Sequence, residues 1–125
     1  MARNRGLWRT GYALPVLVAM AGCVSAKYIQ TGAAYPARAS HCTIEVFSAG
    51  LPNREFEEIG ILEGEGTFWK ADLQDVIPRL REEACLVGGD ALILVSANKY
   101  ADGHGDGVDE AELYAVATVI RWSEG

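Results

Sequence analysis

A single stretch of this chain has the 3.6-residue period of an amphipathic helix, and strand-like stretches lie on both sides of it. The helical stretch begins at about Asp72 and carries charged residues on its opposite face. Its apolar residues are Leu73, Val76, Ile77, Leu80, Ala84 and Val87. Two strand-like stretches precede it and two follow it. This order predicts an α+β fold in which one amphipathic helix packs on a sheet of about four strands (β-β-α-β-β).

The two strands before the helix differ in pattern. Residues 42–47 alternate apolar and polar side chains, which is typical of a half-buried strand. Residues 56–62 predict a second strand, which we expect Gly64 and Gly66 to interrupt.

The helix and the strands after it carry their own boundary signals. Pro78 is tolerated in a first helical turn, so Asp75 as the N-cap residue would give a late start, and the alternative is a kink. The glycines at 88–89 predict the end of the helix. Residues 91–96 are continuously apolar, as in a central strand covered on both faces, and residues 112–122 are rich in strand-forming residues.

The first 22 residues have the three-part layout of an export signal. Residues 1–11 are basic and polar without an acid, residues 12–21 are apolar, and Ala21 and Gly22 are small. An apolar run of about ten residues is too short for a membrane span, which needs about 20. We therefore predict a signal peptide over residues 1–22.

The end of this segment, Met20-Ala21-Gly22-Cys23, resembles the bacterial lipoprotein signal, or lipobox. The resemblance implies a covalent lipid on Cys23, cleavage before Cys23, and a location in the cell envelope. The residue after Cys23 is Val24 rather than Asp. If the host has two membranes, the resemblance then implies sorting to the outer membrane, facing the periplasm. The alternative is a soluble exported protein cut near Ala21. We expect no other cofactor.

Residues 23–40 predict a lipid-anchored flexible tether, because they mix small and polar residues without an apolar period. A single α+β domain then spans residues 41–125. Three of the 11 basic residues fall in residues 1–22, so eight remain against 17 acidic ones. Such an acidic body excludes binding to a nucleic-acid backbone.

Two stretches of the body are similar to the YbjQ-like and RcsF-like group of small α+β domains. They are Phe56-Glu57-Glu58-Ile59-Gly60 and the stretch from Ala84 through Gly88-Gly89-Asp90-Ala91-Leu92-Ile93. The resemblance implies an envelope protein that senses or relays surface stress through partner proteins, or a metal-associated domain. The resemblance to YbjQ-like members also implies that copies of the chain assemble into a ring. The resemblance supplies no catalytic residue.

Cys42 and Cys85 are the thiols that remain if Cys23 is lipidated. An even pair outside the cytoplasm predicts a disulfide. Two free thiols are the alternative, because Cys85 lies off the centre of the apolar stripe and would flank the core. No Cys-x-x-Cys spacing predicts a redox-active pair.

A metal site has weak candidates in Cys42, Cys85 and His104, with His41 nearby in sequence. Their spacing matches no zinc template, and Leu113 stands where a calcium loop needs its bidentate glutamate. We expect no bound metal and a solvated, acidic loop over residues 100–109.

The sequence carries no motif of an enzyme, and we predict a non-catalytic protein. Candidate contacts for an envelope protein partner are the aromatic residues Phe68, Trp69, Tyr100, Tyr114 and Trp122. The predicted function is an interaction or stress-sensing and relay lipoprotein. A metal-binding envelope domain and an oligomeric structural lipoprotein are the alternatives.

Overall fold

A computed structural model describes residues 23–100 and 112–123 of the chain. The elements in chain order are β1 (Val24–Gln30), β2 (Glu45–Phe47), β3 (Phe56–Thr67), a 3₁₀ turn (Phe68–Lys70), α1 (Leu73–Leu86), β4 (Ala91–Tyr100) and β5 (Glu112–Trp122). The predicted α+β class with one helix on a sheet is confirmed. The described sheet has five strands where we predicted about four.

The sheet has the strand order β1-β3-β5-β4-β2. Neighbouring strands are antiparallel except β2 and β4, which are parallel. Helix α1 lies on one face of the sheet, and the core fills the space between them. Its fully buried side chains include Val76 and Leu80 from α1, Leu62 from β3, Leu92 from β4 and Val119 from β5.

The prediction of a flexible tether is wrong over residues 24–30, which form β1. This strand pairs with β3 along its whole length, from Val24 opposite Gly66 to Gln30 opposite Gly60. An edge strand needs only one apolar face, and here alternate residues, Val24, Ala26 and Tyr28, pack against the core. The strand therefore has a weaker apolar pattern than a central one.

The segment between β1 and β2 is also held against the domain. The Arg38 amide donates to the Cys85 carbonyl over 2.8 Å, and the Arg38 guanidinium donates to the Gly89 carbonyl over 2.7 Å. The ring of Tyr35 stacks on the Arg121 guanidinium, with 4.0 Å from its carbon to the ring centre. These contacts place the segment over the carboxyl end of α1, where a cation also satisfies free carbonyls.

Glycines 64 and 66 do not interrupt β3, which continues to Thr67. Both lie on the face that α1 covers. A Cβ at Gly64 would lie 2.8 Å from Leu80 Cδ2 and 2.9 Å from Val76 Cγ1. The glycines therefore mark a close approach of helix and strand, which a sequence pattern cannot distinguish from a break.

Helix α1 begins earlier than an N-cap at Asp75 would place it. Asp72 is the N-cap residue, and its carbonyl accepts from the amides of Asp75 and Val76 over 2.9 and 3.1 Å. Pro78 therefore lies inside the helix, where it removes one backbone donor. The helix ends as predicted, because Gly88 takes the left-handed conformation with φ 83°.

Two strands differ in extent from the prediction. Strand β2 covers residues 45–47 alone, so Cys42 precedes it. Strand β4 runs to Tyr100, and only its start is covered on both faces: Ala91 and Leu92 are fully buried, whereas Val95 is 62% exposed.

Candidate functional site

Cys23, the predicted lipidation residue, lies immediately before β1 and is held by the end of β3. The Thr67 amide donates to the Cys23 carbonyl over 2.9 Å, and the Cys23 amide donates to Thr67 Oγ1 over 3.3 Å. Within the described residues Cys23 is the free cysteine, and it is exposed. Its side chain is therefore accessible, while its backbone is hydrogen-bonded to the last residue of β3.

Cys42 and Cys85 form the predicted disulfide, with their Cα atoms 5.9 Å apart. Cys85 is fully buried, so the expectation that it flanks the core is wrong. The bridge joins the segment before β2 to the last turn of α1. Since each sulfur is bonded to the other, neither is a thiolate that could hold a metal.

The remaining metal candidates do not come together in the part of the chain that the structure describes. His41 is exposed, and no group of three His, Cys, Asp or Glu side chains within residues 23–100 and 112–123 could hold a metal ion. His104 and the predicted acidic loop lie outside the described residues.

The 3₁₀ turn after β3 presents aromatic side chains to solvent. Phe68 is 51% exposed, Trp69 is 70% exposed, and Leu73 at the start of α1 is 37% exposed. We call Phe68, Trp69 and Leu73 the aromatic corner. The chain reverses tightly here, since a Cβ at Gly66 would collide with the Lys70 carbonyl. The aromatic corner directly follows Thr67, the residue that holds Cys23.

The other aromatic candidates lie in different surroundings. Trp122 packs at the far end of β5, where its ring meets Phe47 edge-on at 6.1 Å and the Arg54 guanidinium at 4.3 Å. Tyr100, at the end of β4, is 55% exposed, and Tyr114 is half-buried. Of the predicted partner contacts, Trp122 is therefore largely engaged within the domain.

Carboxylates gather on the sheet near its Cys23 end, and no local sequence pattern predicts this cluster. A hydrogen bond with Glu112, together with partial burial and the charge of Glu112, raises the pKa of Glu65 above its usual 4.5. Partial burial raises the pKa of Tyr114, and the charges of Glu63 and Glu65 raise it further. The strand register brings these groups together, and residues 47 positions apart carry no local signal of it.

No helix in the described residues is long and apolar enough to cross a membrane. No family model matches the chain, and no curated protein matches it. The chain is similar in structure to the Francisella virulence factor FvfA, known from a crystal structure in an orthorhombic form. The identity is 12% and the TM-score 0.48, over 75% of this chain and 96% of that chain.

Proposed function

We propose that this protein is a bacterial envelope lipoprotein, attached to the membrane by a lipid on Cys23, that works by binding or relaying rather than by catalysis. The observation that carries the proposal is the division of the cysteines. Cys42 and Cys85 are bonded to each other, whereas Cys23 is free and exposed at the lipobox position. Disulfides persist outside the cytoplasm, so the bridge supports export.

The position of β1 fits cleavage before Cys23. The strand begins at Val24, so removal of residues 1–22 leaves every described element whole. Each buried CH₂ of a lipid adds about 0.8 kcal/mol to membrane affinity, and two or three chains on one residue give a durable anchor.

The exposed apolar surface supports a binding role, whereas the ion pairs of the described residues serve the fold. Arg38 pairs with Asp90 at 3.0 Å and Lys99 with Asp72 at 2.9 Å, and these pairs connect elements of the fold. Arg79 pairs within α1 with Glu82 and Glu83, both at 3.3 Å. Exposed apolar residues such as Val95 leave surface for a protein partner, in line with the resemblance to RcsF-like domains.

Intact mass of the chain extracted from bacterial membranes tests the anchor. We expect a chain that begins at Cys23, carries acyl mass, and gains two alkylated thiols only after reduction. Cys23→Ser should abolish the acyl mass, whereas the matched double variant Cys42→Ser/Cys85→Ser should keep it. A full-length chain without acyl mass would contradict the proposal.

The binding role needs its own test in intact cells. A photoreactive residue in place of Val95, which is 62% exposed on β4, should give a discrete cross-linked product. The same residue in place of Leu51, which is 73% exposed in the loop before β3, is the control. If neither position cross-links, the binding role is wrong even where the anchor is confirmed.

A further inference from the structure

Exposed apolar side chains are concentrated in the aromatic corner. Three of the large hydrophobic residues exposed in the described chain, Phe68, Trp69 and Leu73, fall within six consecutive positions. Trp69 is 70% exposed and Phe68 is 51% exposed, so most of each ring is uncovered. Exposed aromatic residues next to each other mark a contact surface more often than scattered ones.

The backbone of Phe68 supports a contact role. Its φ is 56°, in the left-handed region that a side chain with a Cβ rarely adopts. Residues held in such conformations cluster at binding sites and other functional positions. The turn therefore directs an aromatic side chain outward at a position where glycine would fit more easily.

The aromatic corner lies beside the proposed anchor. The amide of Thr67 is bonded to the carbonyl of Cys23, and Phe68 and Trp69 are the next two residues. Consecutive Cα atoms are 3.8 Å apart, so the Cα of Trp69 is within about 8 Å of that of Thr67. Because β1 is paired from Val24 onward, no spacer separates Cys23 from the sheet.

We propose that the aromatic corner inserts into the interface of the bilayer that holds the lipid of Cys23, and so fixes the orientation of the domain. The inference rests on the proposed anchor, which brings a bilayer to this edge of the sheet. Tryptophan is enriched at membrane interfaces because its ring has an apolar body and a polar N–H group. Lys70 beside it suits the headgroup level.

Charge identifies the kind of bilayer. The carboxylates of Glu63, Glu65 and Glu112 lie on the sheet near its Cys23 end. These acids oppose anionic lipid, so binding depends on aromatic burial and suits a zwitterionic surface. The proposed occupant is therefore a bilayer of phosphatidylethanolamine and phosphatidylcholine.

The two tryptophans of the processed chain provide a test, because Trp8 lies in the segment that is removed. Trp69 lies at the Cys23 end, and Trp122 ends β5, about 33 Å along a strand that begins at Glu112. The lipidated chain is placed in zwitterionic vesicles whose acyl chains carry bromine near the headgroup. We expect a loss of emission from the native chain and no loss from the Trp69→Phe variant.

The variant Trp122→Phe provides the converse measurement, since only Trp69 then emits, and its emission should be lost. Equal quenching of both tryptophans, or of neither, would overturn the proposed orientation. If quenching occurs only in vesicles that contain the anionic lipid phosphatidylglycerol, burial of the aromatic residues is not the basis of the contact. A chain that carries acyl mass with an unquenched Trp69 refutes this inference alone, whereas a chain without acyl mass refutes the anchor and this inference together.

Discussion

Phe68 combines an unfavourable backbone conformation with an exposed side chain. A left-handed conformation costs a residue with a Cβ about 1–2 kcal/mol. The φ of 56° therefore carries this cost, while half of the ring remains exposed and gains little from burial. A residue chosen for stability alone would be glycine.

The backbone cost of Phe68 can be separated from the contribution of its ring. Phe68→Gly and Phe68→Ala both remove the ring and differ only in the Cβ. We expect the glycine variant to be more stable than the alanine variant by about 1 kcal/mol, the reverse of the usual order. Urea unfolding of the oxidised domain measures the difference. Equal stabilities, or a more stable alanine variant, would contradict the backbone argument.

The pKa of Glu65 predicts a pH-dependent contribution to stability. Glu112 raises this pKa in the folded state, so folding favours the protonated form of Glu65. The resulting contribution to stability is complete below the unfolded pKa of about 4.5, and it is lost as pH rises through the folded pKa. Glu65→Gln should therefore stabilise the domain at pH 7, by less than about 1 kcal/mol because the pair is solvated.

The effect of Glu65→Gln should shrink as pH falls towards 4, in unfolding curves recorded across this range. Glu58→Gln removes one charge from the far end of the same strand and is the control. A gain that is the same at every pH would show that the charge pair with Glu112 is not its source.

Among the elements, β1 and the end of β3 were predicted wrongly for one physical reason. On the face towards α1, Ala26 on β1 and Gly64 and Gly66 on β3 interrupt the large apolar side chains, and at the two glycines α1 approaches closely. Small residues give no apolar period, so a sequence pattern indicates a tether or a break. Helix α1, β4 and β5 carry enough large apolar residues, such as Leu80, Leu92 and Val119, for their patterns to be recognised.

The structural role of β1 can be tested by truncation. A chain that begins at residue 41, the predicted domain boundary, lacks the packing of Val24, Ala26 and Tyr28 and the bond from the Tyr28 hydroxyl to the Ile59 carbonyl. We expect it to lose roughly 3 kcal/mol or more relative to a chain that begins at Cys23. Circular dichroism during urea unfolding measures this loss, and matching midpoints would restore the interpretation as a tether.

For the whole molecule, the Cys42–Cys85 bridge is the main covalent constraint. It joins residues 43 positions apart, and closing such a loop stabilises a domain by about 4 kcal/mol in the chain-entropy treatment. The double variant Cys42→Ala/Cys85→Ala should lose about this amount in thermal and urea unfolding. The matched variant Cys23→Ala should lose almost nothing, because its side chain is exposed. A double variant as stable as the native domain would contradict this role.

The residues of the candidate site could be predicted from the sequence, but their proximity to one another could not. The lipobox resemblance pointed to Cys23, and the position of aromatic residues near the end of an element pointed to Phe68 and Trp69 as contacts. Their proximity depends on the pairing of β1 with β3, between residues 30 to 42 positions apart. No local pattern reports such a pairing. The sequence therefore predicted a flexible tether between the proposed anchor and the domain that carries the aromatic residues.

The central position of β5 has a consequence for the timing of folding. In the proposed export, this strand is the last described element to leave a channel that threads the chain from its amino end, yet it lies between β3 and β4. Until it arrives, the β1–β3 pair and the β2–β4 pair have no strand to join them, and α1 has no continuous sheet to cover. The sheet therefore cannot be completed before β5 has left the channel.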